Sequence, residues 1–184
     1  MKTMTRQRYE EIERRLFQEG IFVISNNVYR DLANTILVIV EYSALNPKKE
    51  ITLYLSTEFN SYYYSMMLYD IIKAIPNKVS CVVIGHVSAY TTLIAAACEK
   101  GRRFALPHAE LSITQPTGII DAGANVETDI TINAKNLNEE RKEYERLLAL
   151  ETGMKEEDIH QMAQDETDLK VADAIKLGII DKVI

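Results

Sequence analysis

Short apolar runs alternate along the first half of the chain with longer segments whose apolar residues recur at helical spacing. The continuous runs predict strands buried on both faces, at residues 21–24, 51–55 and 79–84. The periodic segments predict helices, at residues 32–45, 61–75 and 91–100. Two more short strands are predicted at residues 103–106 and 110–114. Strands that alternate with helices of this length predict right-handed βαβ units and a mostly parallel sheet.

The pattern changes after residue 115. Residues 116–126 are rich in small side chains and predict either a loop or a weakly specified strand. Residues 128–150 predict a long charged helix that projects from the body and needs a partner to cover its apolar positions. Those positions are Ile132, Leu137, Tyr144, Leu147 and Leu148. Two short helices, at residues 154–163 and 171–177, and an apolar segment at residues 179–184 complete the prediction.

Composition narrows the class of partner and the compartment. The 184 residues carry a formal net charge of −6, with 47% hydrophobic and 26% charged residues. An acidic chain of ordinary hydrophobicity argues against nucleic acid and anionic membrane surfaces as partners. No apolar run is long enough to span a bilayer, and no targeting segment is visible. Cys81 and Cys98 stand in apolar surroundings, which predicts buried free thiols and a cytoplasmic location.

Several stretches, in their order and spacing, resemble the ClpP family, the proteolytic subunits of ATP-dependent Clp proteases. They are GHVSAYTT at residues 85–92, GRRFALP at 101–107, TQP at 114–116 and LGIID at 177–181. The resemblance covers nearly the whole chain. It implies an α/β, crotonase-like spiral of ββα units with a protruding handle helix. The chain would form one domain over residues 1–184, with a head at about 1–114 and 152–184 and a handle at about 115–151.

The resemblance also implies partners. Relatives form heptameric rings that stack into a hollow barrel and receive substrate from an AAA+ unfoldase, and an active ClpP paralogue is a further candidate partner. The handle segment between residues 116 and 128 is longer than is usual in the family, which puts the stacking of rings in question. Neither a cofactor nor a metal ion is expected, because the chain has no nucleotide-binding glycine motif and no metal-ligand spacing.

The family's catalytic positions carry residues that cannot perform its chemistry. Ala89 stands where the family has the nucleophilic serine, and an alanine methyl cannot attack a carbonyl. Thr114 stands at the position of the histidine base, and its hydroxyl does not accept a proton near neutral pH. The acid position falls at Glu166, with Asp165 and Asp168 within a small slip of the alignment. A carboxylate there has no histidine to orient.

The oxyanion loop is also changed. Glu58, Phe59 and Asn60 replace the family's Pro-Gly-Gly, so side chains and a negative charge stand where bare backbone N–H groups approach the substrate. Tyr90 follows the nucleophile position and is expected to narrow the elbow. These changes together predict a non-catalytic subunit with a structural or regulatory role in a Clp-type barrel.

Two other functions stay open at this point. An active serine endopeptidase with a relocated site would use Ser88 as nucleophile, with His86 or His108 near it in sequence. A crotonase-type protein would bind an acyl-CoA thioester through backbone N–H groups near Asn60 and Ala89. The otherwise unusual residues of the third helix, Tyr62, Tyr63, Tyr64, Met66 and Met67, favour packing or a plugged groove over a peptide-contacting surface.

Overall fold

The computed structural model of the protein describes residues 6–25, 32–59, 61–115, 117 and 127–184. This part of the chain forms seven α-helices and nine β-strands. The elements are α1 (Arg6–Gln18), β1 (Ile21–Ser25), α2 (Leu32–Leu45), β2 (Ile51–Ser56), β3 (Glu58–Phe59), α3 (Tyr62–Ala74), β4 (Val79–Val83), β5 (His86–Ala89), α4 (Tyr90–Ala97), β6 (Arg103–Ala105), β7 (Glu110–Ile113), α5 (Glu127–Thr152), α6 (Glu156–Gln164), β8 (Thr167–Lys170), α7 (Val171–Lys176) and β9 (Lys182–Val183). Asn60 and the predicted loop or strand at residues 116–126, apart from Thr117, lie outside the described residues.

The strands form two sheets, whereas the sequence predicted one. The large sheet has the order β1-β2-β4-β6-β9, and all its neighbours are parallel. The small sheet has the order β3-β5-β7-β8, with parallel pairs except for the antiparallel β7 and β8. The predicted, mostly parallel arrangement is therefore confirmed, but three strands of the small sheet, β3, β5 and β8, were not predicted as separate elements.

The two sheets arise because strands come in pairs along the chain. In the pairs β2–β3, β4–β5 and β6–β7, the first strand joins the large sheet and the second joins the small one. A helix follows each pair. Gly85 makes the sharp turn between β4 and β5 at φ 67°, a conformation that favours glycine. This repetition is the spiral of ββα units that the family resemblance implied.

The core is built around α4 and β4. All eight residues of α4 and all five residues of β4 are buried. Small side chains at Ala95, Ala96 and Ala97 let the helix lie close to its neighbours. Because the chain is extended at Cys98, with φ −66° and ψ 165°, α4 ends earlier than the sequence predicted. The buried apolar residues of both sheets and of the helices packed on them form one cluster.

The handle helix α5 is covered along its second half by the protein's own core. Tyr144, Leu147 and Leu148 are buried there, so most of the apolar stripe needs no outside partner, contrary to the sequence-based expectation. Ile132, in the first half, is half exposed, and Leu137 is partly covered. No helix in the described ranges is long and apolar enough to cross a membrane.

A buried ion pair anchors the C-terminal segment to the large sheet. Asp181 accepts hydrogen bonds from Arg103 Nη2 at 2.5 Å, from Arg103 Nε and the Arg103 backbone N–H at 2.9 Å, and from the Gly101 N–H at 2.7 Å. Arg103 Nη1 also donates to the Gly178 carbonyl at 2.6 Å. Asp181 directly precedes β9, so this contact links β9 and the end of α7 to β6.

Candidate functional site

Three positions that the sequence singled out meet at one edge of the small sheet. Strand β5 runs parallel to β7, with Ser88 paired with Ser112, so the strands end together at Ala89 and Ile113. Thr114 is the next residue after β7. Strand β8 runs the other way, with Ile113 paired with Thr167, so Glu166 arrives at the same edge. The register therefore brings Ala89, Thr114 and Glu166 to neighbouring strand ends.

Ala89 occupies a strained turn between β5 and α4. It has φ 45° and ψ −119°, is the N-cap residue of α4, and is 2% exposed. Non-glycine residues rarely adopt positive φ, and such a conformation costs on the order of 1–3 kcal/mol. A sharp strand-to-helix turn of this kind is how serine hydrolases present a nucleophile above a sheet. The protein therefore keeps the strained backbone of a nucleophile elbow, with an alanine at its tip.

Replacing Ala89 by glycine should stabilise the protein. Glycine adopts φ 45° with little strain, and this gain exceeds the added chain entropy of the unfolded state, so we expect a rise of about 1 kcal/mol in the free energy of unfolding. Urea denaturation of both proteins measures it. Ala97→Gly is the matched control, because Ala97 lies at the end of α4 without positive φ and should lose stability. A lower free energy of unfolding in Ala89→Gly would contradict the claim that the backbone at Ala89 is strained.

The groups at this edge do not make up a serine–histidine–acid triad. Ala89 has no nucleophilic atom, and Thr114 is half-buried with a hydroxyl in place of an imidazole. Glu166 lies in an exposed turn at φ 47°. The backbone of Glu58 and Phe59 forms β3, with Phe59 paired with Ala89, so the altered oxyanion loop does border the elbow. What the edge retains is the first turn of α4, whose backbone N–H groups are donors without intrahelical partners.

Tyr90, the residue after Ala89, has its side chain buried in the core. The ring meets Tyr62 of α3 edge-on at a centroid distance of 6.0 Å and Tyr144 of α5 at 5.7 Å. Burying a large ring between two helices is favourable, and the chain direction at the start of α4 directs it there. Tyr90 is thus a link between the elbow and the handle.

The hydroxyl groups of Tyr90 and Tyr144 lack a hydrogen-bond partner although both are buried. Burial raises the pKa of each phenol well above its ordinary value, so both stay neutral. A buried, unpaired hydroxyl costs about 1–3 kcal/mol.

A hydrogen-bonded chain that the sequence did not reveal crosses the small sheet one residue before the elbow. Ser88, Ser112 and Asp168 are paired in one cross-strand row. His86 Nε2 lies 2.7 Å from Ser112 Oγ, and Ser112 Oγ donates to Asp168 Oδ1 at 2.5 Å. His86, which the sequence offered only as a neighbour of Ser88, is therefore part of a network that joins β5, β7 and β8. His86 and Ser112 are 26 residues apart in the sequence, so the sequence alone does not indicate that they are in contact.

The order of donors and acceptors in this hydrogen-bonded network does not activate Ser112. An ionised carboxylate only accepts hydrogen bonds, so the single hydroxyl hydrogen of Ser112 is used on Asp168. His86 Nε2 must then donate to Ser112 Oγ, which is the reverse of a general base. Ser88 points to the opposite face of β5 from Ala89, because neighbouring strand residues alternate. His86 therefore does not act as a base toward Ser112 in this arrangement.

The other two histidines lie elsewhere. His108 is exposed in the turn after β6. His160 joins α6 to α5 through Glu145 Oε1 at 2.8 Å and Arg141 Nη1 at 2.7 Å. In the described ranges no three side chains of His, Cys, Asp or Glu converge as metal ligands. Cys81 and Cys98 are buried free thiols, as predicted.

The fold and the elbow define the scaffold of a serine peptidase of the crotonase-like type. The family model described as Clp protease matches residues 4–184. The ATP-dependent Clp protease proteolytic subunit of Streptococcus suis is 30% identical over 184 residues, which is 100% of this chain and 93% of that relative. The ATP-dependent Clp protease proteolytic subunit 2 of Thermobifida fusca is 31% identical over 177 residues, covering 96% and 86%. The chain belongs to the Clp protease family.

Proposed function

We propose that this chain is a non-catalytic subunit of a Clp-type barrel protease, with a structural and regulatory role in the particle. The observation that carries the proposal is Ala89 at the tip of an elbow that keeps its strained backbone. The neighbouring strand ends add Thr114 and Glu166, neither of which supplies the imidazole that a serine–histidine–acid triad needs. A subunit of this kind keeps the shape that assembly requires and leaves peptide hydrolysis to its partners.

Assembly into rings follows from family membership and is supported by an uncovered apolar surface. On α2, Leu37 is 64% exposed and Leu45 is 66% exposed, and Val38 and Val40 are partly exposed beside them. Exposed apolar residues on neighbouring turns of one helix are typical of a surface that another chain covers. The proposed partners are further copies of this chain or an active ClpP paralogue in heptameric, stacked rings, and an AAA+ unfoldase, in the cytoplasm.

Mixing experiments test the proposal. The purified chain is combined with an active Clp proteolytic subunit and an AAA+ unfoldase, and native mass spectrometry counts the two kinds of subunit in each particle. A fluorogenic peptide and a fluorophosphonate probe report activity and reactive serine. We expect mixed or homomeric rings in which this chain takes up no probe. A thermal-shift measurement with acyl-CoA compounds tests the acyl-CoA alternative, because a ligand that binds the native state raises the melting temperature.

Variants at the two neighbouring serines make the test specific. Ser88→Ala removes the alternative nucleophile, and Ser112→Ala removes the serine that contacts His86. Both variants should equal the parent in probe uptake and hydrolysis. Probe labelling of the parent that disappears in Ser88→Ala would overturn the proposal and restore the relocated-site hypothesis.

A further inference from the structure

A histidine lies between a cation and a carboxylate at the base of the handle helix. His160 of α6 faces α5, where its Nδ1 atom is 2.7 Å from Arg141 Nη1 and 2.8 Å from Glu145 Oε1. The side chain of Glu145 is only 7% exposed and that of Arg141 is 20% exposed, whereas that of His160 is 38% exposed. We call these three residues the His160 cluster. Its two charges are largely covered by the protein, but its imidazole is within reach of solvent protons.

The contacts around His160 Nδ1 cannot all be made at the same time. Arg141 Nη1 carries two hydrogens, yet it lies within 2.8 Å of three acceptors, the two oxygens of Glu145 and Nδ1 of His160. Nδ1 accepts from Arg141 only when it carries no hydrogen, and it donates to Glu145 only when it carries one. Two donors 2.7 Å apart repel each other, so a hydrogen on Nδ1 is incompatible with Arg141 in its present place. The His160 cluster therefore has two alternative arrangements.

The charge of the imidazole selects between these arrangements. A neutral imidazole has one donor and one acceptor nitrogen, whereas both nitrogens donate in the protonated ring. Gln164 lies 3.1 Å from His160 Nε2 and can present its amide nitrogen or its amide oxygen by turning through 180°, so it fits both forms. The neutral ring can thus accept from Arg141 at Nδ1 and keep its own hydrogen on Nε2. The protonated ring has to direct Nδ1–H to Glu145 and excludes Arg141.

We propose that the His160 cluster is a pH-sensitive switch at the junction of α5 and α6. A neutral imidazole holds Arg141, and a protonated imidazole releases Arg141 and binds Glu145 in its place. The carboxylate of Glu145 has a cationic partner in either state, so its charge is never left uncompensated in a covered position. Arg141, which also donates to Asn138 Oδ1 at 2.8 Å, moves towards solvent on release. This regulatory role goes beyond the proposed lack of catalysis and does not depend on it.

The other charged groups around α6 do not replace Arg141 and Glu145 in this role. On α6 itself, Glu156 and Glu157 lie one turn before His160 and favour the protonated ring from a distance. The remaining elements packed against α6 are β7 and β8, whose charged residues are bonded within the small sheet. These residues are Glu110, Asp168 and Lys170. The choice of arrangement therefore depends on Arg141 and Glu145, the two charges in direct contact with the imidazole.

The His160 cluster is connected to the elbow edge through α6. This helix ends at Gln164, which contacts the imidazole, and the turn that follows carries Glu166 to the start of β8. On the other side of the cluster, α5 carries Tyr144, which packs on Tyr90. A change of partner at His160 therefore alters the contacts of the handle helix and of the segment that leads to β8.

The titration of His160 tests the switch directly. Deuterium exchange at the imidazole C2 position, followed by mass spectrometry, gives the midpoint of titration for each histidine of the full chain. Because a nearby cation disfavours the charged ring and a nearby carboxylate favours it, Arg141→Gln should raise the midpoint of His160 and Glu145→Gln should lower it, each by about one pH unit. Arg146→Gln is the matched control. Arg146 also lies on α5 but bonds to Glu143, so its loss should leave the midpoint unchanged.

Stability at two pH values provides a second readout. Urea denaturation is carried out at about pH 8 and about pH 5.5, on either side of the ordinary histidine pKa of about 6.5. Arg141→Gln should raise the unfolding equilibrium constant about tenfold at the higher pH, where Glu145 loses its charged partner, and less than about threefold at the lower pH, where the protonated imidazole takes that place. In a His160→Gln background, the effect of Arg141→Gln should be the same at both pH values.

Two outcomes would overturn the switch. One is a His160 midpoint that stays constant in Arg141→Gln and Glu145→Gln, or that moves in the same direction in both. The other is a stability cost of Arg141→Gln that does not change with pH while His160 is present. Neither outcome bears on the proposed non-catalytic role, which probe labelling and native mass spectrometry judge separately.

Discussion

Peptide hydrolysis should stay undetectable when Ala89 is replaced by serine alone, and should first become measurable when Thr114→His is added. The elbow would present the new hydroxyl correctly, but a serine without a base is a poor nucleophile. Thr114 follows β7 at the strand end next to Ala89, so a histidine there stands where a proton acceptor is needed. A positioned general base contributes about 10²–10⁴-fold. We therefore expect the double variant to hydrolyse peptide about 10²–10⁴-fold faster than Ala89→Ser.

The rate of the double variant should remain low. We expect the changed oxyanion loop, Glu58 to Asn60, to withhold donors, and losing one such donor costs about 10²–10³-fold. Fluorogenic peptide turnover and fluorophosphonate labelling measure both variants, and Thr114→His alone is the control. Activity of Ala89→Ser by itself would mean that a base already reaches the elbow, and would contradict the arrangement described for His86 and Ser112.

Replacing Arg103 by methionine should lower the free energy of unfolding by about 3–5 kcal/mol, because the change leaves a carboxylate with no counter-ion in a largely covered site. The Arg103 side chain is 5% exposed and that of Asp181 is 21% exposed. Four hydrogen bonds from the guanidinium, two to Asp181 and one each to the Gly178 and Ala96 carbonyls, are lost together. Arg102→Met is the matched control. Its exposed pair with Glu50 should contribute less than about 1 kcal/mol.

The pH dependence gives this prediction a second test. Burial would raise the pKa of Asp181, but the hydrogen bonds and charge of Arg103 outweigh it and hold the pKa below the ordinary value. The pair therefore stabilises the fold fully above the pKa of an unfolded aspartate, about 3.9, and the stabilisation is lost as pH falls through the lower folded value. The stability gap between parent and Arg103→Met, from urea denaturation, should thus be constant near neutrality and shrink in acid. A gap that widens in acid would contradict this assignment.

The large sheet was predictable because β1, β2 and β4 are short, mostly apolar runs. The run that became β4 has five buried residues in succession and is covered on both faces. The small sheet was harder to predict, since β3 has only two residues and β8 has four, three of them polar and exposed or half-buried. Such short strands exist only because a neighbour is already in place, and their own sequence carries little of that information.

The candidate site was predictable in its positions but not in its contacts. The order of the family motifs located Ala89, Thr114 and Glu166. The parallel β5 and β7 end at the edge where the antiparallel β8 begins, which explains why the three residues are neighbours. The direction of Tyr90 depended on Tyr62 and Tyr144, residues of two other helices. The link between Ser112 and Asp168 spans 56 residues of sequence. Contacts of this kind follow from tertiary packing, which periodicity along the chain does not encode.

The neighbouring rings of Tyr63, Tyr62, Tyr90 and Tyr144 also affect the fluorescence of the protein. The chain has ten tyrosines and no tryptophan, so its ultraviolet emission comes from phenol rings alone. Excitation energy passes readily between tyrosine rings this close together: the centroids are 5.5 Å apart for Tyr63 and Tyr62, 6.0 Å for Tyr62 and Tyr90, and 5.7 Å for Tyr90 and Tyr144. A shift of α5 relative to α4 would change the distance between Tyr144 and Tyr90, and with it the depolarisation of the emission. Tyrosine fluorescence anisotropy therefore reports on the junction of the elbow and the handle helix α5 without an added dye.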